Sequence, residues 1–176
     1  MYQERLLLFS ACVFFLLIFF APGCGNITTS SHFSPPETKL GKYAGLEITN
    51  FETQVEHVPG DALTQIPDET AKLLASKKSR FQKVGRESIQ DIPAENTLVL
   101  LGEVINYQSG KDIKYEGGAL KFGEVALTVQ LALVQKNTGK EIATGEVNGF
   151  NSLGFTDAGL YKSMAEEIVK FINENY

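Results

Sequence analysis

The chain has no tryptophan and only two cysteines, two histidines and two methionines in 176 residues. Both cysteines, Cys12 and Cys24, lie near the amino end. Beyond residue 24 there is no thiol from which a disulfide could form, so that part of the chain must be held by packing alone. His32 and His57 have no second His or Cys at the spacing of a zinc or haem site, so no metal and no cofactor is expected. An excess of basic residues is missing too. Sixteen Lys and Arg against 21 Asp and Glu leave a net charge of −5, and nucleic acid, which is bound by a basic surface, is not an expected partner. There is no Gly-x-Ser-x-Gly elbow, which disfavours Ser-His catalysis.

What the chain does have, first, is a long apolar run. Met1-Tyr2-Gln3-Glu4-Arg5 carries a thin positive charge, and Leu6 to Ala21 follows without an ionisable group other than Cys12. That is the length and polarity of a signal-peptide core, and short of the roughly 20 residues a bilayer-spanning helix needs. Pro22 and Gly23 then break the helix ahead of Cys24. Ala21-Pro22-Gly23-Cys24 resembles the bacterial lipobox, with Ala21 and Pro22 in place of its commonest residues. The resemblance implies cleavage between Gly23 and Cys24 and fatty acylation, of the palmitate type, at Cys24. The alternative is an uncleaved amino-terminal membrane helix. Either one tethers the chain in the cell envelope, outside the cytoplasm. Two or three acyl chains, at about 0.8 kcal/mol per buried methylene, make an effectively permanent anchor. Gly25 after the cysteine implies, by resemblance to lipoprotein sorting, the periplasmic face of an outer membrane in a diderm bacterium, or the cell surface where there is one membrane.

Residues 1–23 are thus read as a signal peptide, 24–39 as the acylated cysteine and a tether, and 40–176 as a single domain. Gly25 to Lys39 is rich in Ser, Thr, Gly and Pro, a composition that reads as flexible, with a reach of roughly 20 Å. From Tyr43 a period of two predicts a strand of about ten residues, ended by Pro59-Gly60-Asp61. Pro67 suits a helix start, with Ala71, Leu73 and Leu74 on an apolar stripe that continues to Phe81. Lys77-Lys78-Ser79-Arg80 then completes its basic end.

Leu98 to Ile105 is apolar on both faces and predicts a central strand covered on at least part of each side. Val125 to Leu133 alternates cleanly, and Asn137-Thr138-Gly139-Lys140 turns it back into a partner strand over Glu141–Val147. Ala158, Tyr161, Met164, Ala165, Ile168, Val169 and Ile172 recur at helical spacing and predict an amphipathic helix that docks on the sheet. The expected fold is α+β in two layers: a mostly antiparallel sheet of about four to five strands, with two helices packed on one face.

Gly102-Glu103-Val104, the glycine-rich stretch Gly117-Gly118-Ala119-Leu120-Lys121-Phe122-Gly123, the long strand to Val134, Thr138-Gly139-Lys140-Glu141-Ile142, and Ala165-Glu166-Glu167-Ile168-Val169 together resemble an uncharacterised family of bacterial lipoprotein domains found behind a lipobox. The resemblance covers roughly half the chain and brings no activity with it. More distantly, the order of elements is similar to small periplasmic envelope-assembly modules, including the amino-terminal domain of TolB and activators of cell-wall synthases. Fold does not fix function.

Gly117, Gly118 and Gly123 precede a strand, so they read as a turn and a bulge, not as a phosphate cradle. Gly149-Phe150 and Gly154-Phe155 bridge the hairpin and the last helix. Gly117, Gly118, Phe150 and Phe155 are therefore the candidate partner-binding residues. Glu103, Glu124 and Glu146 fall on predicted strands and could pair as hydrolytic carboxylates at roughly 5–9 Å. Two expectations of different class follow. One is a non-catalytic, lipid-anchored envelope protein that binds or scaffolds another envelope protein through a sheet edge or its glycine-rich loops. The other is a periplasmic hydrolase or small-ligand-binding domain using strand carboxylates.

Overall fold

The structure is a computed structural model and describes residues 27–76, 80–86, 88–110, 114–116, 119–121, 123–152 and 157–176. In chain order its strands and helices are β1 (Ile27–Phe33), β2 (Gly45–Ile48), β3 (Glu52–Thr53), α1 (Ala62–Ser76), β4 (Lys83–Gly85), β5 (Thr97–Gln108), β6 (Lys114–Glu116), β7 (Ala119–Lys121), β8 (Val125–Gln135), β9 (Glu141–Asn151) and α2 (Asp157–Glu174). β6 and β7 form a separate two-stranded hairpin.

The fold is α+β with two helices, but its sheet is larger than the four to five strands expected. Seven strands run in the order β1-β9-β8-β5-β2-β4, with β3 added to β5, and the sheet curls into a half-barrel. It is antiparallel over its three long ladders, as expected, and carries a short parallel portion besides. The β1–β9, β9–β8 and β8–β5 pairs are antiparallel, whereas β5–β2, β2–β4 and β5–β3 are parallel. The parallel portion comes from α1 crossing over between β2 and β4, two strands of four and three residues that are too short to print a periodic signal.

The predicted ten-residue strand from Tyr43 is split. The chain pairs over Gly45–Ile48, leaves the ladder, and pairs again at Glu52–Thr53. Between them Phe51 turns inward to a position that only a glycine opposite permits: a Cβ on Gly102 would lie 2.4 Å from the Phe51 ring. The flexible tether is also corrected. Residues 27–33 are the edge strand β1, paired residue for residue with Asn151 through Gly145 of β9. Thr28, Ser30 and His32 face outward, while Thr29 and Ser31 lie on the same side as the two apolar ends, Ile27 and Phe33, which pack against the core.

Helix α1 begins at Ala62, five residues before the predicted start, and contains Pro67. A proline there removes the N–H that would bond the Leu63 carbonyl. The Phe51 N–H donates to that carbonyl instead, at 2.9 Å, so the inserted proline leaves no orphaned acceptor. Ala62, Ile66, Thr70 and Leu74, at strict fourfold spacing, form the buried face, and Thr70 Oγ1 donates back to the Ile66 carbonyl at 2.8 Å.

Helix α2 follows the predicted periodicity closely, extending it to Asp157–Glu174. Leu160, Tyr161, Met164, Ala165, Ile168 and Ile172 are buried on the sheet, while Ala158 is exposed. Both helices lie on one face and pack on each other. Leu98, Leu100 and Val104 of β5 and alternate residues Val125 to Leu133 of β8 point toward them. Each fully buried side chain of this kind contributes about 1.5–3 kcal/mol of burial free energy.

One buried acid joins separate segments. Glu47 Oε1 on β2 accepts from the Ile89 N–H at 2.6 Å and from Lys136 Nζ at 2.5 Å, and Lys136 Nζ also reaches Ser88 Oγ at 2.9 Å. Elsewhere on the surface, Lys140 beside Glu37 and Lys83 beside Asp91 form exposed pairs. Arg86 clamps the end of β2 by donating to the carbonyls of Ile48 and Thr49 and pairing with Asp68 of α1.

Candidate functional site

Among the described residues the sheet face opposite the helices is bare, and its composition follows from strand registers. Across β5, β8, β9 and β1 its rows read Leu101–Ala132–Thr144, then Glu103–Gln130–Glu146–His32, then Asn106–Thr128–Asn148–Ser30, then Gln108–Ala126–Phe150–Thr28. The β9 and β1 side is polar and internally bonded: Thr128 Oγ1 donates to Asn148 Oδ1 at 2.7 Å, and Asn148 Nδ2 donates to Glu146 Oε1 at 2.8 Å. The β5 side is mixed, with large apolar side chains among Glu103, Asn106 and Gln108. Leu101 and Ile105 are each 41% exposed, with Val99 and Val134 half-buried beside them.

The sequence reading of β5 as covered on part of each face is corrected here. Its inner face is buried, but Leu101 and Ile105 are open. A bulge in the β5–β8 ladder, where Val104 pairs with Val129 and Asn106 with Thr128, leaves Ile105 unpaired and restarts the alternation. Ile105 and Asn106 both come out exposed.

Beside Leu101 lies an open groove of about 310 Å³, walled by Thr49, Asn50 and Glu52 on one side and by Gln130, Glu141 and Thr144 on the other, with Glu103 in its floor. Sequence reasoning missed Glu52 and Glu141, which reach this groove from β3 and from the start of β9. The signal that could have found the apolar patch was the parity of β5, where Leu101 falls opposite in phase to Leu98, Leu100 and Val104.

Of the carboxylate candidates, Glu103 and Glu146 share one row with Gln130 between them. Two strand spacings separate their backbones by about 9.5 Å. Glu124 precedes β8 and joins neither. Phe150 stands on the bare face, half-buried between Ala126 and Thr28. It is not in a connecting loop as expected, because β9 continues past the predicted Val147 to Asn151. Gly149 lies under α2, where a Cβ would come within 2.6 Å of Met164 Sδ. Gly23, Cys24, Gly117, Gly118, Phe155 and the Lys77-Lys78-Ser79 part of the basic cluster lie outside the described residues; Arg80 holds its guanidinium over the Tyr176 ring. His32 is exposed on β1, and His57 is exposed in a loop at a φ of 63°. Among the described residues no group of three or more His, Cys, Asp or Glu is placed to hold a metal ion, and no described helix is long and apolar enough to cross a membrane.

No family model matches the chain, and no curated protein matches its sequence. Solved structures do match its fold. PelC from Paraburkholderia phytofirmans, solved as a dodecamer, superimposes with a TM-score of 0.60 at 12% identity, covering 82% of this chain and 97% of that one. A point variant of the same PelC, also a dodecamer, gives 0.58 at 13% identity over 82% and 98%. The lipoprotein GNA1162 from Neisseria meningitidis gives 0.44 at 15% identity over 74% and 99%. At these identities the likeness to PelC is one of fold: a mixed, curled sheet under two helices.

Proposed function

We propose that this chain is a non-catalytic, lipid-anchored protein of the cell envelope that serves as a scaffold module, docking protein partners in the same membrane and, first among them, further copies of itself. The observation that carries the reading is the bare face of β5. Leu101 and Ile105 stand near the middle of the sheet, either side of Glu103, on the one broad surface no described helix covers, and large apolar side chains left open there point to an interaction site. The PelC structures of like fold are dodecamers, which makes a closed ring of identical copies the assembly to look for. The lipobox-like sequence at Cys24 supplies the anchor, and by the same reading the site of action is the periplasmic face of the outer membrane in a diderm cell.

Sedimentation of the detergent-solubilised acylated protein tests this. The wild type is expected to run as a defined oligomer and the Leu101→Asp variant as a lighter species; a monomer in both would overturn it. A second reading, a hydrolase or small-ligand-binding domain, is favoured by one observation, the groove that holds Glu52, Glu103 and Glu141. Under that reading Glu103→Gln abolishes ligand binding or turnover and leaves sedimentation unchanged.

A further inference from the structure

Several segments leave the sheet at the same end. Ile27, which opens β1, pairs with Asn151, the last residue of β9, and Asn151 pairs with Val125, the first of β8. Gln108, the last residue of β5, pairs with Ala126. The entry to β1, the connection 109–124 with its β6–β7 hairpin, and the connection from β9 to α2 therefore all issue from one end. The β8–β9 turn at Thr138 and Gly139 lies at the other. Eleven residues of β8 at about 3.3 Å each hold the two ends roughly 35 Å apart.

Cys24 precedes Ile27 by only three residues. Even a fully extended chain covers at most about 3.6 Å per residue, so an acyl group on Cys24 is tied within roughly 11 Å of this end of the sheet. A long flexible tether would let the domain tumble above the lipid. A link this short, running straight into a paired strand, does not.

The turn at the far end, Lys136-Asn137-Thr138-Gly139-Lys140, has no apolar side chain.

We propose that the end of the sheet carrying Ile27 rests on the lipid bilayer surface, so that the domain stands upright with its strands at a steep angle to the headgroup plane. This rests on the reading of Cys24 as acylated. It also turns the bare face of β5 sideways, where copies in one membrane meet it.

The acylated chain has no free thiol, because Cys12 leaves with the signal and Cys24 is occupied. Gln108→Cys, Gly123→Cys and Thr138→Cys each then offer one site for a fluorophore. The full acylated protein, its lipid mass first confirmed by mass spectrometry, is reconstituted into vesicles of phosphatidylethanolamine and phosphatidylglycerol that contain a headgroup spin-labelled lipid. Given the separation of the two ends, quenching at Gln108→Cys and Gly123→Cys is expected to exceed that at Thr138→Cys by about threefold or more. Equal quenching at the three sites, or stronger quenching at Thr138→Cys, in protein of the correct acylated mass overturns the proposal and leaves the anchor standing. A mature chain that lacks the acyl mass overturns the anchor, and the proposal with it.

Discussion

At the scale of single residues, some polar groups taken out of water are answered by partners far along the chain. Glu47 is the clearest case, because its Oε1 holds the Ile89 N–H and the Lys136 ammonium at once. Replacing it with Gln keeps the shape but removes the charge that both donors face, while Ile89 is itself buried. A hydrogen bond to a charged group contributes about 1.5–3 kcal/mol, so Glu47→Gln is expected to lower stability by about 2 kcal/mol in urea titration. Lys136→Met is expected to cost at least as much, since it leaves the buried carboxylate without a counter-charge. Tyr176 is a comparable fastener: its hydroxyl lies within hydrogen-bonding distance of the carbonyls of Arg80 and Tyr43, and its ring meets the edge of Phe81 at 4.8 Å. Burial pushes its pKa up, against the opposing pull of Arg80.

At the scale of elements, the amino-terminal strand depends on a missing side chain. Phe33 stacks on Phe171 of α2 with ring centroids 3.9 Å apart, and it occupies the space where a Cβ on Gly145 would lie, 1.9 Å from its ring. Gly145→Ala is therefore expected to expel Phe33, at a cost of about 1–3 kcal/mol from overpacking, and to release β1 from β9. Hydrogen exchange should show protection lost over residues 27–33 while β8 keeps it; unchanged protection would refute this account. Gly149→Ala would press on Met164 and Leu160, both fully buried, and is expected to cost stability as well.

The same contact explains why β1 escaped the sequence reading. Five of its seven residues are Thr, Ser or His, which composition assigns to a linker, and its pairing partners lie more than a hundred residues away. α2 and β8 were legible because one face of each is buried along its whole length. α1 was legible as a helix but not at its start, since Pro67 is tolerated only through the distant Phe51 N–H. Of the candidate site, the sequence placed Glu103, Glu146 and Phe150 on strands or next to them. Their gathering on one face, with Leu101 and Ile105, depended on registers and a bulge that no local pattern reveals.

At the scale of the whole molecule, the exposed ion pairs set a weak response to acid. The hydrogen bond and charge of Lys140 hold the Glu37 carboxyl below its ordinary value of 4.5, and Lys83 does the same for Asp91 below 3.8. A depressed carboxyl pKa adds stability above the unfolded value and loses it as the pH falls through the folded one. Melting temperature is therefore expected to decline modestly below about pH 4.5, and less so in a Glu37→Gln, Asp91→Asn double variant. Added salt should narrow the difference between the two profiles, since both pairs are open to solvent. The partner Lys140 is shifted up by Glu37, so its contribution is kept to high pH and lost only as the pH rises through that raised value.

The pairing of β1 with β9 also sets a timetable for synthesis. Ile27 to Phe33 leave the ribosome early, yet among the described residues their one neighbour in the sheet, β9, ends at Asn151. At about 5–20 residues per second the wait is on the order of ten seconds. Throughout that interval the segment has no hydrogen-bonding companion, and the edge of the sheet closes only when the chain is almost finished.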